Sequence, residues 1–363
     1  MVSLKSKNFV LQWHLTDDCE MSCAHCYIPE ARKKNLLRPA LNFNESIKLV
    51  DDFCEFLKAL NVGGRINFTG GNPLLYNKFL DLGRYVKNKK ILIGILGNPG
   101  PLLEDKNIEG LKEIGVFRYQ ISIDGMKKTH DEFRGKGAFE TAVKGIERLV
   151  QADIPPVVLS TVSKKNMKEM PDVAELCFRK GVVVYDFARL VPIGEAKDLT
   201  GDMPTAIEYR DFLDSMFKRY EKLKKEGINV RIGTKDPLWN LYLSERGLLK
   251  PTKNDGIIYG GCSVGISHLS LDVDGTVYSC RRLEIPIGNV KNEKILDIFL
   301  KSPEINEHRD FGKIEGCDTC DILPICRGCR AVAYAVGGSY YSKDPQCWRE
   351  KNEYYVYRKI STY

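Results

Sequence analysis

Twelve cysteines are distributed very unevenly along the chain: three at positions 19, 23 and 26, seven between 262 and 347, and only Cys54 and Cys177 apart from the rest. No other feature of the sequence constrains the fold as much. Residues 1–13 lack the apolar stretch of a signal peptide, and no window is apolar for long enough to cross a bilayer. The chain is therefore expected to be cytoplasmic, with no membrane partner. In that compartment thiols stay reduced, so clustered cysteines read as metal ligands and not as disulfides.

The thiol clusters interrupt two different patterns. Residues 8–190 alternate strand-like runs (9–15, 65–68, 91–96, 117–123, 157–162, 182–190) with helical periodicities at 44–60, 77–87, 139–151 and 167–180. Six such units imply a parallel sheet, either open and doubly wound or closed part-way into a barrel. The first cysteine cluster directly follows the first strand, and in barrels chemistry gathers on the loops at the C-terminal strand ends. Residues 205–226 read as one long charged amphipathic helix. Beyond 257 the pattern becomes a β-hairpin (266–273 and 276–281 about Asp274-Gly275), a helix near 294–301 and loops dense in Cys, Gly and Pro.

At 363 residues the chain is long enough for two domains and a bridge, expected at 1–200, 257–363 and 201–256 respectively. Its net charge of +7 is spread thinly, with no basic run dense enough to indicate nucleic acid, so the charge reads as a solvated surface.

Cys19-x3-Cys23-x2-Cys26 places three thiolates on one short loop. They can hold three corners of a cubic 4Fe–4S cluster and leave the fourth iron open. A closed zinc site would need a fourth ligand, which His14 or His25 could supply. The spacing alone leaves both open.

This stretch resembles the radical S-adenosylmethionine superfamily, whose hallmark is the same spacing after the first strand of a partial (β/α)6 barrel; the resemblance extends over residues 8–195. It implies an α/β fold in which the open iron chelates S-adenosylmethionine, and reductive cleavage of that cosubstrate yields a 5′-deoxyadenosyl radical. Thr69-Gly70-Gly71-Asn72-Pro73 resembles the Gly-Gly-Glu-Pro segment that receives the amino group, and glycines there let backbone carbonyls come close. Asn72 departs from that pattern, since an amide accepts a hydrogen bond but brings no charge. Ser122-Ile123-Asp124-Gly125 resembles the ribose-binding segment, with Ser122 as the contact. Arg134 matches a position that pairs with the methionine carboxylate, His25 takes the place beside the adenine, and Ile193 in Pro192-Ile193-Gly194 resembles the last adenine-contacting backbone. No catalytic acid or base is legible.

Cys262-x12-Gly275-x4-Cys280, then Cys317-x2-Cys320-x5-Cys326-x2-Cys329 and finally Cys347, are seven thiols that do not divide into sites of four. Paired Cys-x2-Cys spacings also occur in zinc ribbons. Their order resembles the SPASM domain, a small Cys-rich α+β extension with two auxiliary clusters, although Cys326-x2-Cys329 is one residue shorter than usual. The resemblance implies Cys262, Cys280 and Cys329 on the first auxiliary cluster, and Cys317, Cys320, Cys326 and Cys347 on the second. Together with the first motif this makes three 4Fe–4S clusters. No cysteine between 178 and 261 completes the first auxiliary set, which leaves an open iron there. Cys54 and Cys177 lie among apolar neighbours and read as structural thiols.

Relatives of this kind mostly modify ribosomally made peptides. The leading expectation is therefore oxidative modification of a peptide or small-protein substrate, a thioether or other crosslink first among them. An external electron donor such as flavodoxin or ferredoxin is implied. With eighteen residues before Cys19 there is no room for a leader-binding domain, so a separate leader-binding protein or the enzyme's own surface would recognise the substrate. Arg281, directly after the hairpin cysteine, stands where sulfatase maturases carry an acidic base and argues against that reaction. The alternative is radical modification of a small molecule or cofactor precursor. A non-catalytic electron-transfer or zinc scaffold protein is the reading of a different class.

Overall fold

The computed structural model describes residues 8–28, 40–231, 233, 235–249 and 257–349. Residues 250–256 of the expected bridge and the tail from 350 lie outside the described residues. The first half runs β1 (Asn8–Thr16), α1 (Phe43–Leu60), β2 (Gly63–Gly70), α2 (Phe79–Asn88), β3 (Leu92–Leu96), α3 (Asp105–Glu113), β4 (Val116–Ser122), α4 (Lys127–Arg134), α5 (Ala138–Gln151), β5 (Pro156–Val162), α6 (Met170–Arg179) and β6 (Val184–Arg189). These strands are all parallel and lie side by side in sequence order. A doubly wound sheet reverses its strand order at a switch point. None of these six does, so the helices stay on one face and the array is that of a partial barrel.

Strand alternation separates the two faces. Along β1, Phe9, Leu11 and Trp13 are buried against helices. Phe9 lies edge-on to Phe56 of α1, ring centroids 4.7 Å apart, and Trp13 meets Phe68 of β2. The opposite, concave face is polar: Gln12 and His14 on β1, Asn67 and Thr69 on β2, Gln120 and Ser122 on β4. A barrel filled for stability carries layers of branched apolar side chains in that position. A polar interior belongs to a site.

Local signals set the element ends. α1 starts with a capping box in which the Asn42 side chain accepts from the Glu45 N–H and the Glu45 side chain accepts from the Asn42 N–H. The bridging helix α7 (Ala206–Lys225) starts the same way on Thr205 and Glu208, and α8 (Leu238–Glu245) follows it.

The C-terminal part contains β7 (His268–Leu271), β8 (Thr276–Cys280), β9 (Leu283–Asn289), α9 (Ile295–Lys301), α10 (Pro303–Glu307) and α11 (Arg330–Gly337). The expected hairpin forms, with Gly275 at φ 90° in its turn. Its first strand pairs in parallel with β1, from Val10 opposite His268 to Trp13 opposite Leu271. One sheet of nine strands thus runs from β6 to β9. Among the described residues no helix is long and apolar enough to cross a membrane.

A buried ionic knot joins the last barrel strand to the C-terminal part. Arg189, at the end of β6, donates to Asp236 at 2.7 Å and to both oxygens of Asp344 at 2.6 and 2.8 Å. Asp344 also accepts from the Cys329 N–H at 2.7 Å, so the knot reaches the thiol-bearing loops directly.

Candidate active site and thiol clusters

At the C-terminal ends of β1–β6 the concave face opens into a cleft. The loop carrying Cys19, Cys23 and Cys26 forms one wall and is held from three sides. The Gly71 and Asn72 N–H groups donate to Thr16 and Asp18 carbonyls at 2.8 and 2.7 Å, Ala24 N–H donates to Phe133 O at 2.9 Å, and Glu195 N–H donates to Cys26 O at 2.8 Å. This packing explains the glycine pair. A β-carbon on Gly70 would lie 2.2 Å from Thr16 O and one on Gly71 2.1 Å from Asp18 O, and Gly70 has φ 132° besides.

Thr69, Gly70, Gly71, Ser122, His25 and Arg134 all line the cleft with the three thiols. Asn72 does not. Its side chain is fully buried and donates to both oxygens of Glu20 at 2.9 and 3.0 Å, while its own carbonyl accepts from Leu74 N–H. Asn72 thus clamps the thiol loop to the β2 loop, and the negative charge missing at position 72 sits on Glu20 instead. Ile193 is also absent from the lining; it packs on the apolar cluster around Val191, Leu283 and Cys329.

The residue that sequence reasoning misses is Asp124, although it lies inside the quoted segment 122–125. Its Oδ2 accepts from Arg134 Nε at 2.5 Å and lies 3.1 Å from His25 Nε2, and its Oδ1 accepts from Thr161 N–H at 2.7 Å. Burial alone would raise this carboxyl, but Arg134 and His25 hold it well below the ordinary carboxylate range. Arg134, fixed in this way, sets a second nitrogen 3.7 Å from Cys23 Sγ. Asn98 is a further addition: its amide donates to Cys19 Sγ at 3.3 Å, and Tyr119 holds it through the Asn98 carbonyl. Its signal in the sequence is the Gly97-Asn98-Pro99 turn after the third strand.

Arg281 lines both this cleft and an adjoining pocket bordered by His14, Tyr27, Asp272 and Tyr278. It stacks on Tyr27 at 4.8 Å from the ring centroid, and burial pushes the Tyr27 phenol up to about 12 despite that neighbour.

The remaining thiols form two groups. Cys317, Cys320, Cys326 and Cys347 together line one small pocket, and Arg349 donates to Cys320 Sγ at 3.3 Å. Cys329 is buried in the apolar cluster that includes Leu283 of β9, and Cys262 and Cys280 pack on the same cluster. Among the described residues no three Cys, His, Asp or Glu side chains converge tightly enough for a single metal ion. A cubic cluster spreads its thiolates more widely than one zinc ion does, so these groupings fit iron–sulfur clusters better than zinc. Burial pushes Cys317 up to about 12 and raises Cys23, Cys326, Cys329 and Cys347, so these groups are neutral thiols on their own and bound metal would be what deprotonates them.

Comparison with known proteins agrees with this layout. Residues 13–177 match the model of the radical SAM superfamily, and residues 262–330 match SPASM, an iron–sulfur cluster-binding domain. The AdoMet-dependent heme synthase of Oleidesulfovibrio alaskensis is 30% identical over 347 residues, 93% of this chain and 86% of that protein. The mycofactocin maturase MftC of Mycolicibacterium smegmatis is 26% identical over 345 residues, 93% of this chain and 82% of that one. In fold, Streptococcus suis SuiB bound to S-adenosylmethionine superposes with a TM-score of 0.71 at 17% identity, covering 95% of this chain and 78% of that chain.

Proposed function

Because this chain belongs to the radical S-adenosylmethionine superfamily and carries its SPASM extension, we propose that it oxidises a tetrapyrrole precursor of heme. The observation that carries this reading is likeness along nearly the whole chain to a protein named a heme synthase. The leading expectation from sequence, peptide crosslinking, thereby gives way to the small-molecule alternative.

In this reading Cys19, Cys23 and Cys26 hold the first cluster, Cys262, Cys280 and Cys329 the second, and Cys317, Cys320, Cys326 and Cys347 the third. When bound, the clusters supply the electron that opens S-adenosylmethionine to a 5′-deoxyadenosyl radical and a way out for the electron that the substrate releases. The protein's own groups position the reactants. Carbonyls of Thr69–Gly71 receive the amino group of S-adenosylmethionine, Ser122 the ribose, and His25 lies beside the adenine. Arg134, aimed by Asp124, takes the carboxylate through charge-assisted hydrogen bonds.

Arg281 lines the cleft beside the three thiols, and among the described residues no carboxylate shares that lining. A guanidinium so placed suits a substrate that bears carboxylates. Heme carries vinyl groups where coproporphyrin carries propionates. Conversion of one to the other sends a hydrogen atom into 5′-deoxyadenosine, releases the carboxyl group as carbon dioxide, and passes one electron to an external acceptor. A flavodoxin- or ferredoxin-type protein is the external donor of the electron that opens S-adenosylmethionine.

The test is anaerobic turnover of the reconstituted enzyme with S-adenosylmethionine, reductant and iron coproporphyrin III, followed by mass spectrometry. The tetrapyrrole should stimulate 5′-deoxyadenosine formation and lose carboxyl groups. An unaltered tetrapyrrole and no stimulation would overturn the reading.

A further inference from the structure

Among the described residues, two arginines at the base of the concavity form no ion pair. Arg65 heads the inward column of β2, Arg65–Asn67–Thr69, and Arg118 heads that of β4, Arg118–Gln120–Ser122; the upper members of both columns line the cofactor cleft. The alternate residues Ile66, Phe68, Tyr119 and Ile121 are buried in the core on the other side of the sheet. A register shift opposite Ile93 and Gly94 makes Phe117 an extra residue, so its ring turns inward with Arg118. Both guanidiniums then lean on that ring, Arg65 at 5.6 Å and Arg118 at 5.1 Å from its centroid.

Among the described residues no carboxylate lies within ion-pair distance of either arginine. Arg65 Nε is buried without a hydrogen-bond partner, and so is the side-chain oxygen of Asn67 one step up the same column. Asp186, the carboxylate that acts on Arg118, accepts instead from the N–H groups of Phe187 and Lys235, at 2.9 and 3.3 Å. Burial and the repulsion of Arg118 bring Arg65 down to about 10, and His268 on β7 is driven down to about 3 by burial with Lys235, Arg281 and Arg65 nearby. Two like charges held partly buried against one ring destabilise the fold unless an anion arrives.

We propose that Arg65 and Arg118 form a subsite for a substrate carboxylate remote from the one that reacts, and that this pair fixes how deep the substrate sits. The proposal rests on the tetrapyrrole reading above. Arg65 and Thr69 lie four steps apart along β2, which at the rise of a strand is roughly 13 Å. A rigid macrocycle with carboxylates around its rim can engage the base and the radical site together, whereas a small acid with one carboxylate cannot.

The test uses the reconstituted holoenzyme and the Soret band of iron coproporphyrin III. Arg65→Gln and Arg118→Gln should each weaken binding by about 10- to 100-fold, the loss expected for a charge-assisted pair. Arg65→Lys, which keeps the charge and loses the planar fork, should fall between. Iron octaethylporphyrin, which has no carboxylates, should bind wild type and variants alike. The Gln variants should melt at the same temperature as wild type or higher, because an uncompensated charge has been removed. Unchanged affinity in both Gln variants would overturn the subsite and leave the tetrapyrrole reading standing. A clear fall in melting temperature would assign the pair a structural role and also overturn it. If wild type gives no Soret change with iron coproporphyrin III, the tetrapyrrole reading falls and the subsite with it.

Discussion

Asp124 gathers the Arg134 guanidinium, the His25 ring and the Thr161 N–H around one carboxylate with no exposed surface. Its backbone is held as well, its N–H by His130 Nδ1 at 2.9 Å and its carbonyl by the Asn166 amide at 2.9 Å. Asp124→Asn keeps the shape and removes the charge, so Arg134 should lose its fixed aim. We expect S-adenosylmethionine to bind about 10-fold more weakly, read by calorimetry, with the N-terminal thiols still loaded with iron. Affinity equal to wild type would separate Asp124 from the cofactor. His130 is itself buried and lowered to about 4 by that burial, with Asp124 opposing the shift. A histidine whose pKa is lower folded than unfolded contributes stability above its unfolded value, near 6.5, and loses it as pH falls toward the folded one. His308, also lowered to about 4 by burial, acts in the same direction. Denaturant unfolding at pH 7.5 and 5.5 should therefore show less stability at the lower pH, by on the order of 1 kcal/mol for each histidine. His308→Asn should reduce that difference, and an unchanged difference would contradict the assignment.

Between elements, the Arg189 knot carries more consequence than any surface pair, because β6, the segment before α8 and the loop between Cys329 and Cys347 all meet on it. Arg189→Met leaves two buried carboxylates without a counter-charge and should cost about 3–5 kcal/mol in denaturant unfolding. Loss of less than 1 kcal/mol would mean that water already shares the site. None of this was legible in the sequence, where residues 189, 236 and 344 are separated by long stretches with no pattern linking them. What could be read was local. The strands and most helices of the barrel carry their own periodicity: the helices expected to start at 44, 77, 139, 167 and 205 begin within three residues of those positions, two of them at Asn42 and Thr205 caps, whereas α3 and α4 were not expected. The parallel pairing of β7 with β1 left no trace, because a short strand records only which face is apolar and not which neighbour it will find. Asn72 illustrates the same limit within the site. The motif brought attention to the right loop, yet the partner that turns its side chain away from the cleft, Glu20, is contributed by another element.

Over the whole molecule, three groups of thiols and one charged concavity divide the work. The cleft beside Cys19, Cys23 and Cys26 receives the cosubstrate, and seven further thiols lie in the C-terminal part, which β7 joins to the same sheet. This division makes the clusters separable. In the variant Cys19→Ala/Cys23→Ala/Cys26→Ala, the Arg189 knot and the packing around Cys329 and Cys326 are untouched, so the C-terminal groups should still assemble. Iron analysis after anaerobic reconstitution, with 5′-deoxyadenosine measured under strong reductant, tests the central claim most directly. Wild type should hold about twelve irons and the triple variant about eight, with cleavage of S-adenosylmethionine abolished in the variant. A colourless wild-type protein containing zinc, or undiminished 5′-deoxyadenosine from the triple variant, would contradict the account.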